Sequence, residues 1–269
     1  MAQELHGMIT QLAYYPKLER PVKLNAPKKG GKMTSKAKIS LLIPTRQRPE
    51  MLKRVYDSAF NLASHPGLVE LIYYVDNDDK SYDDLNLYNA TKVSGPRDVL
   101  SKAWNCCYDS STGEIVWHGG DDNIFRTESW DDVVRDTFEE YPDRIAFIWG
   151  NDGNGESERN GFATHGFLHK NWVDTVGRFL PPYFVSDYND TWLNEIAHAI
   201  DRHRHIDIMI EHMHFSLGKS EKDQNTTDRL TRHSKENPEA LYSSQKLRIE
   251  RLDEIEKLRQ FIENYKNLL

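Results

Sequence analysis

Residues 39–51 read ISLLIPTRQRPEM and give the clearest indication of the fold class. Its first five residues form a short, mostly apolar run, which is typical of a strand buried on both faces of a parallel sheet. The polar turn PTRQRP follows, and Pro49 is well placed as the first residue of a helix. The stretch therefore predicts a buried strand, a polar loop and a helix, in that order.

The same alternation continues downstream. Apolar residues recur at three- and four-residue spacing after Pro49, which extends the predicted helix. Short apolar strands are predicted at 71–75, 114–118 and 145–149, with helices at 99–107 and 128–140 between them. Such a pattern predicts a layered α/β domain with a mostly parallel sheet flanked by helices.

Three polar clusters follow predicted strands, at residues 45–48, 76–79 and 121–123. Open α/β sheets bind ligands at the carboxyl ends of their strands. The coincidence of all three clusters with strand ends predicts a binding site there, whatever the family.

The composition is that of a folded globular protein, since 38% of the 269 residues are hydrophobic and 29% are charged. No apolar run reaches the roughly 18 residues of a membrane-spanning helix, and the N-terminus lacks a signal-peptide pattern. The adjacent Cys106 and Cys107 suit free thiols in a reducing compartment. These features predict a cytoplasmic protein without a membrane span.

Charge is unevenly distributed along the chain. Residues 1–38 hold eight Lys or Arg and two Glu, so this arm carries +6 and the remainder −13, for a net charge of −7. The arm suits either a solvated tail or contact with an anionic partner. The acidic remainder argues against a broad nucleic-acid-binding face.

The second half has weaker patterns. Residues 151–161 are rich in Gly and Asn and predict a mobile loop. Helices are expected at 171–179 and 190–200, the latter with Asp190 as N-cap, and extended segments at 206–210 and 211–215. A terminal apolar stripe predicts a helix that packs on the body or forms a homo-oligomer; its residues are Ile255, Leu258, Ile262, Tyr265 and Leu269.

We therefore expect three parts. These are a basic arm or linker at 1–38, the α/β domain at 39–218, and a polar segment with a C-terminal helical extension at 219–269.

Asp121 and Asp122 are adjacent carboxylates at a strand end, directly after Gly119 and Gly120. Their mutual repulsion is relieved by a hard divalent cation such as Mg²⁺ or Mn²⁺, which would bridge the phosphates of a ligand. A solvated turn that leads into the next helix is the alternative. The pair alone leaves both open.

Residues 39–51 resemble the opening of family-two inverting glycosyltransferases, which share a strand, then Pro-Thr-x-x-Arg, then a helix. The strand at 71–75, followed by Asp76, is similar to that family's second element. Residues 113–125 resemble its later strand and its Asp-x-Asp-type metal motif, here Gly120-Asp121-Asp122. The resemblance extends over about residues 39–215 and is looser in the second half.

This resemblance implies a GT-A fold, the Rossmann-like fold of nucleotide-diphospho-sugar transferases, and an enzyme of class EC 2.4. It implies that Asp122 binds Mn²⁺ or Mg²⁺, and that Asp121 contacts the metal or the ribose. It places the nucleotide-sugar, by family habit UDP-linked, against the loop after the first strand and against Asp76. The loop residues are Pro44, Thr45, Arg46 and Arg48; these two arginines and Arg97, in the family's Gly/Arg segment, are candidates for phosphate contact.

The stretch Ser186 to Thr191, SDYNDT, resembles the acidic motif that supplies the catalytic base in this family. Asp190 aligns best and Asp187 competes with it. On a strand, His212 and His214 would face the same side. Either both reach the metal, or one binds it and the other orients, with His214 slightly preferred as the ligand. His165 is considered for the acceptor site.

The implied reaction is metal-dependent, inverting transfer to a hydroxyl acceptor, either a glycan or a small polyol. A runner-up acceptor is a hydroxymethylated DNA base, because the chain is also similar to virus-encoded glycosyltransferases, which would place it in the host cytoplasm. Two other classes of protein are alternatives. A nucleotidyltransferase requires a Gly-rich phosphate-binding loop after the first strand, and the loop PTRQRP contains no glycine. A non-catalytic binding or oligomerisation module would not need the acidic motifs.

Overall fold

The computed structural model describes residues 36–268. Its strands are β1 (Ile39–Thr45), β2 (Val69–Asp76), β3 (Ala90–Gly95), β4 (Ile115–His118), β5 (Asn123–Phe125), β6 (Phe147–Asn151), β7 (Gly166–His169) and β8 (His203–His212). They form an eight-stranded sheet in the order β3-β2-β1-β4-β7-β6-β8-β5. The pairs β1–β2, β1–β4, β2–β3 and β6–β8 are parallel, whereas β7 and β5 run antiparallel to their neighbours. The expected mixed, mostly parallel sheet is confirmed.

Helices cover both faces of the sheet. They are α1 (Pro49–Leu62), α2 (Leu100–Asp109), α3 (Trp130–Glu139), α4 (Gly155–Asn160), α5 (Lys170–Val176), α6 (Asn189–Ala199), α7 (Gln224–Glu236), α8 (Pro238–Tyr242) and α9 (Gln245–Lys266). Pro49 is the first residue of α1, as predicted. Between residues 36 and 268, no helix is long and apolar enough to cross a membrane.

The central strand β1 explains the apolar opening of the sequence. Ile39, Leu41 and Ile43 pack in one hydrophobic core, and Leu42 packs in the other, on the opposite face. All four are fully buried. Because β1 has hydrogen-bonded neighbours on both edges and helices over both faces, apolar residues are required at consecutive positions.

Three segments differ from the sequence expectations. The Gly- and Asn-rich stretch contains α4, whose start is capped by the Asn154 side chain. The extended segments near residue 210 form one strand, β8, which ends at His212 and is followed by the 3₁₀ turn Phe215–Leu217. The polar segment after residue 219 contains α7 and α8, which a hydrophobic pattern misses because α7 buries little besides Thr226.

The terminal helix α9 packs on α5 and α6. Its Ile255, Leu258 and Ile262 belong to the same core as Leu42, and Glu254 accepts hydrogen bonds from Arg178 and Trp192. The expected packing on the body is thus confirmed. The domain boundary at 218/219 and the homo-oligomer stay predictions, and the basic arm lies outside the described residues up to Lys36.

Candidate active site

A cavity of about 600 Å³ lies at the carboxyl ends of β1, β2 and β4. It brings together the three polar clusters of the sequence, with Thr45, Asp76 and Asp121 each contributing to the lining. The parallel pairing of β1 with both neighbours places these strand ends along one edge of the sheet. The first half of the chain thus supplies one wall of the cavity, at the strand ends where the polar clusters predicted a binding site.

Asp121 is buried, and both its oxygens are already bonded. Thr45 Oγ1 donates to Oδ2 at 2.7 Å, and Arg48 Nη1 donates to Oδ1 at 3.0 Å. Burial, against the opposing charge of Arg48, raises the pKa of Asp121 above its ordinary value. Asp121 is therefore held by protein groups, and it lies outside the cluster of candidate metal ligands described next.

Asp122, His165 and His212 form that cluster, because their ligand atoms all lie within 4.8 Å of one another. Asp122 follows β4, His165 precedes β7 and His212 ends β8. His212 Nε2 lies 3.2 Å from Asp122 Oδ2. Although burial alone would raise the pKa of Asp122, the hydrogen bond and charge of His212 lower it well below its usual range.

The cluster fits a divalent transition-metal ion. Burial and the neighbouring His212 hold the pKa of His165 well below its ordinary value, so its imidazole is neutral and able to ligate. His165 Nδ1 also lies 3.0 Å from Thr164 Oγ1, a contact that orients the ring and leaves Nε2 for a metal. A carboxylate oxygen and two imidazole nitrogens are a suitable partial ligand set, with remaining positions left for ligand phosphates or water.

The two other candidates from the sequence lie nearby but are placed differently. His214 lines the cavity, yet its Nδ1 contacts Ser216 Oγ at 2.7 Å and caps the 3₁₀ turn. Because β8 ends at His212, the two histidines do not share one strand face as expected. His165, which the sequence suggested for the acceptor site, belongs to the cluster of candidate metal ligands. No residue spacing in the sequence indicated that role.

The three arginines expected to contact phosphate all line the cavity, and all face carboxylates in this structure. Arg46 donates two bonds to Asp78, at 2.6 and 2.8 Å, and one to Asp76 at 2.9 Å. Arg97 lies 3.8 Å from Asp76 and 3.6 Å from Asp228. Arg48 bridges Asp121 and Asp223.

Asp190 lines the same cavity and is half-buried. The N-cap expectation for it is wrong, because α6 begins at Asn189 with Tyr188 as its cap residue. Asp190 lies in the first turn, and its Oδ1 accepts the N–H of Thr191 at 2.7 Å. Burial raises the pKa of Asp190 from 3.8 to about 6.

Asp187, the competing base, lies at the rim. Its side chain is 51% exposed and pairs with Arg229 at 3.2 Å and His233 at 3.3 Å. Both partners belong to α7, so Asp187 connects the start of α6 to the helix that covers the cavity.

That helix is the part of the site that the sequence did not indicate. Residues of α7 and of the segment before it line the cavity, among them Asp223, Thr226 and Arg229. Asp223 both caps α7 and receives two bonds from Arg48. Their only sequence signal is the N-cap pattern of Asp223 ahead of Thr226.

A sequence model of glycosyl transferase family 2 matches residues 40–225. The chain belongs to this family. The match includes all of β1 except its first residue, the Asp121–Asp122 turn, both candidate bases and Asp223, and it confirms the family resemblance inferred from the sequence. This glycosyltransferase uses a nucleotide-sugar donor, and the nucleotidyltransferase and non-catalytic hypotheses are set aside.

Among solved structures, the glycosyltransferase is similar to the mannosyltransferase PcManGT from Pyrobaculum calidifontis, in complex with GDP-Man and Mn²⁺. The two chains are 13% identical, the match covers 97% of this chain and 77% of that chain, and the TM-score is 0.53. At this identity the likeness concerns the fold, and it confirms the GT-A architecture. No curated protein matches the sequence.

Proposed function

We propose that this glycosyltransferase is metal-dependent and inverting, and that it transfers a sugar from a nucleotide-sugar to a hydroxyl acceptor. The observation that carries the proposal is the cluster of Asp122, His165 and His212 in the cavity that Asp190 also lines. Ligands for a cation and a half-buried carboxylate thus share one cavity, whose volume of about 600 Å³ suits a nucleotide-sugar.

Asp122, His165 and His212 would hold the metal, which when bound supplies a Lewis acid for the charge that builds on the departing diphosphate. We favour Mn²⁺ over Mg²⁺, because Mg²⁺ takes oxygen ligands and retains water, whereas two of these ligands are imidazoles. The Pyrobaculum mannosyltransferase was solved with Mn²⁺ and GDP-Man, which adds GDP-linked sugars to the UDP-linked donors implied by family habit.

Asp190 is our candidate for the base that removes the proton from the acceptor hydroxyl. A base acts best when its pKa lies near the working pH, and the raised pKa of about 6 meets this requirement. The hydroxyl oxygen attacks the anomeric carbon from the face opposite the leaving group, so configuration inverts. Asp187 is the less favoured base, because its carboxylate is paired with α7.

The nucleotide would bind along Pro44, Thr45 and Asp76, with Asp121 orienting Arg48 beside it. Arg46 and Arg97 would contact phosphate only after exchanging a carboxylate partner. The acceptor stays a hydroxyl of a glycan or small polyol in this proposal. A hydroxymethylated DNA base would depend on the basic arm, which lies outside the described residues.

Thermal stability of the purified chain with UDP, GDP or TDP, each with and without Mn²⁺, tests the proposal. A ligand that binds only the native state adds about 2.7 kcal/mol at a hundredfold excess over its Kd. We expect a metal-dependent shift for one nucleotide that is lost in Asp122→Ala. A shift that is equal with and without metal would refute metal dependence, and no shift with any nucleotide would refute the donor site.

A further inference from the structure

Arg54 on α1 differs from the other cationic side chains around the cavity. The arginines that line the cavity are Arg46, Arg48, Arg54, Arg97, Arg229 and Arg232. All but Arg54 have a protein acceptor: four face carboxylates, and Arg232 donates to the Asp98 carbonyl at 2.8 Å.

Among the residues that the structure describes, Arg54 has no such acceptor. Its Nε and Nη2 are shielded from solvent, and neither has a hydrogen-bond partner in the described part of the chain. Within residues 36–268, no carboxylate lies within ion-pair distance of its guanidinium. Shielded guanidinium N–H groups without an acceptor are unfavourable, since they leave water without regaining a bond. Such a group in a cavity wall is expected where a ligand completes the bonding.

The position of Arg54 on α1 shows which end of the cavity it serves. Met51, Arg54 and Ser58 recur at helical spacing and share one face of α1. Met51 lines the cavity, and Ser58 Oγ accepts the N–H of Phe125 in β5 at 3.1 Å. That face therefore points toward β5, the strand that follows Asp122.

We propose that Arg54 is an anion-binding residue of this cavity, whose ligand is a phosphate or carboxylate group of a substrate. Nε and Nη2 form a parallel pair of donors, the geometry that binds two oxygens of one anionic group. Because both atoms are shielded from solvent in this structure, binding an anion through them requires the side chain to turn this edge toward the cavity. The group belongs either to the diphosphate of the donor or to an anionic acceptor. The inference rests on the proposed function in so far as the cavity binds substrates.

The test compares Arg54→Gln, Arg54→Lys and the control Lys53→Gln. Lys53 is the preceding residue of α1, pairs with Asp57 at the surface and does not line the cavity, so its substitution removes the same charge. For the donor arm, Kd is measured by calorimetry for GDP, UDP and pyrophosphate with Mn²⁺. For the acceptor arm, glucose 6-phosphate and glucuronate are titrated into the nucleotide-loaded protein, with glucose as the neutral comparison.

We expect Arg54→Gln to weaken one set of anions about ten- to a hundredfold, the usual range for losing charged hydrogen bonds. Arg54→Lys should recover part of this loss, and Lys53→Gln should bind as the wild type does. Weaker pyrophosphate and nucleotide binding would assign the diphosphate. Weaker binding of the anionic sugars alone would assign the acceptor.

Stability without ligand gives an independent readout. Because the guanidinium of Arg54 bonds no residue between 36 and 268, the Tm of Arg54→Gln should equal or exceed that of the wild type. A clearly lower Tm would overturn the inference by exposing a structural partner. Unchanged binding of both anion sets in Arg54→Gln would also overturn it. If the wild type binds no nucleotide, the proposed function fails. If glucose 6-phosphate nevertheless binds the wild type and binds Arg54→Gln more weakly, the inference about Arg54 still holds.

Discussion

Arg48 and Asp223 form a two-bond ion pair across 175 positions of the chain, with Nε–Oδ2 and Nη2–Oδ1 distances of 2.7 Å each. Arg48 also donates to Asp121 Oδ1, so one guanidinium connects the strand-end acidic turn to the first residue before α7. The helix that covers the cavity is thereby tied to the acidic turn that precedes the candidate metal ligands.

Replacing Asp223 by Asn should loosen α7 without destroying its cap. Asn accepts the Thr226 N–H as Asp does, but it loses the charge opposite Arg48. Since the Asp223 side chain is 39% exposed, we expect a local destabilisation of about 1 kcal/mol or less. Hydrogen exchange of the α7 amides measures it. Asp253→Asn on α9, which removes an exposed carboxylate, is the control. Equal exchange of the α7 amides in both variants would show that the Arg48–Asp223 ion pair does not stabilise α7.

The identity of the third metal ligand is tested with two histidines. We expect His165→Ala and His212→Ala each to abolish the Mn²⁺-dependent gain in Tm, because each removes one of three ligands. His205→Ala serves as control, since His205 lies on β8, bonds Asn151 and does not line the cavity. A loss of the Mn²⁺ effect in His214→Ala but not in His165→Ala would favour the ligand pair expected from the sequence.

Asp190→Asn should lower kcat by about 10²- to 10⁴-fold, the usual contribution of a general base. In the wild type, kcat/KM should rise with pH through about 6, as the Asp190 carboxyl with its raised pKa loses its proton. Asp187→Asn should keep this profile. A wild-type profile that is flat between pH 5 and 8, or full activity in Asp190→Asn, would show that Asp190 is not the base.

The raised pKa of Asp190 also predicts how stability depends on pH. Between 3.8 and about 6 the unfolded chain has lost this proton while the folded chain retains it. The contribution of Asp190 to stability is therefore fully present below 3.8 and is lost as pH rises through about 6. Asp190→Asn should be more stable than the wild type at pH 8, by up to about 3 kcal/mol, and this gain should vanish near pH 3.5. Urea unfolding at both pH values measures it.

The packing of α9 is tested by Leu258→Ala. Leu258 is fully buried in the core shared with Leu42, so truncation should cost about 2–5 kcal/mol of unfolding free energy. Ile249→Ala on the same helix is the matched control, because Ile249 is 49% exposed and should lose less than about 0.5 kcal/mol. Equal effects would mean that α9 packs differently, for instance against a second copy.

Local sequence patterns were sufficient to predict where the folded domain starts and that its site lies at strand ends. The run 39–43 must be a central strand because consecutive apolar residues are stable only where both faces are covered, and Asp121 with Asp122 must lie at a strand end. These local patterns also indicated the glycosyltransferase family. Such patterns reflect periodicity and burial over a few residues. Elements that are short or bury few apolar side chains were therefore not predicted; these are α4, α7, β3, β5 and β7.

The contacts between distant side chains follow from the tertiary structure and not from local patterns. His212 reaches Asp122 from 90 positions away because β8 pairs with β5, the strand directly after Asp122. His165 joins them because β7 pairs with β4, and Arg48 selects Asp223 because α7 lies over the same sheet edge. Such encounters depend on strand order and helix packing, to which residues far apart in the chain contribute together, and no spacing within one segment encodes them.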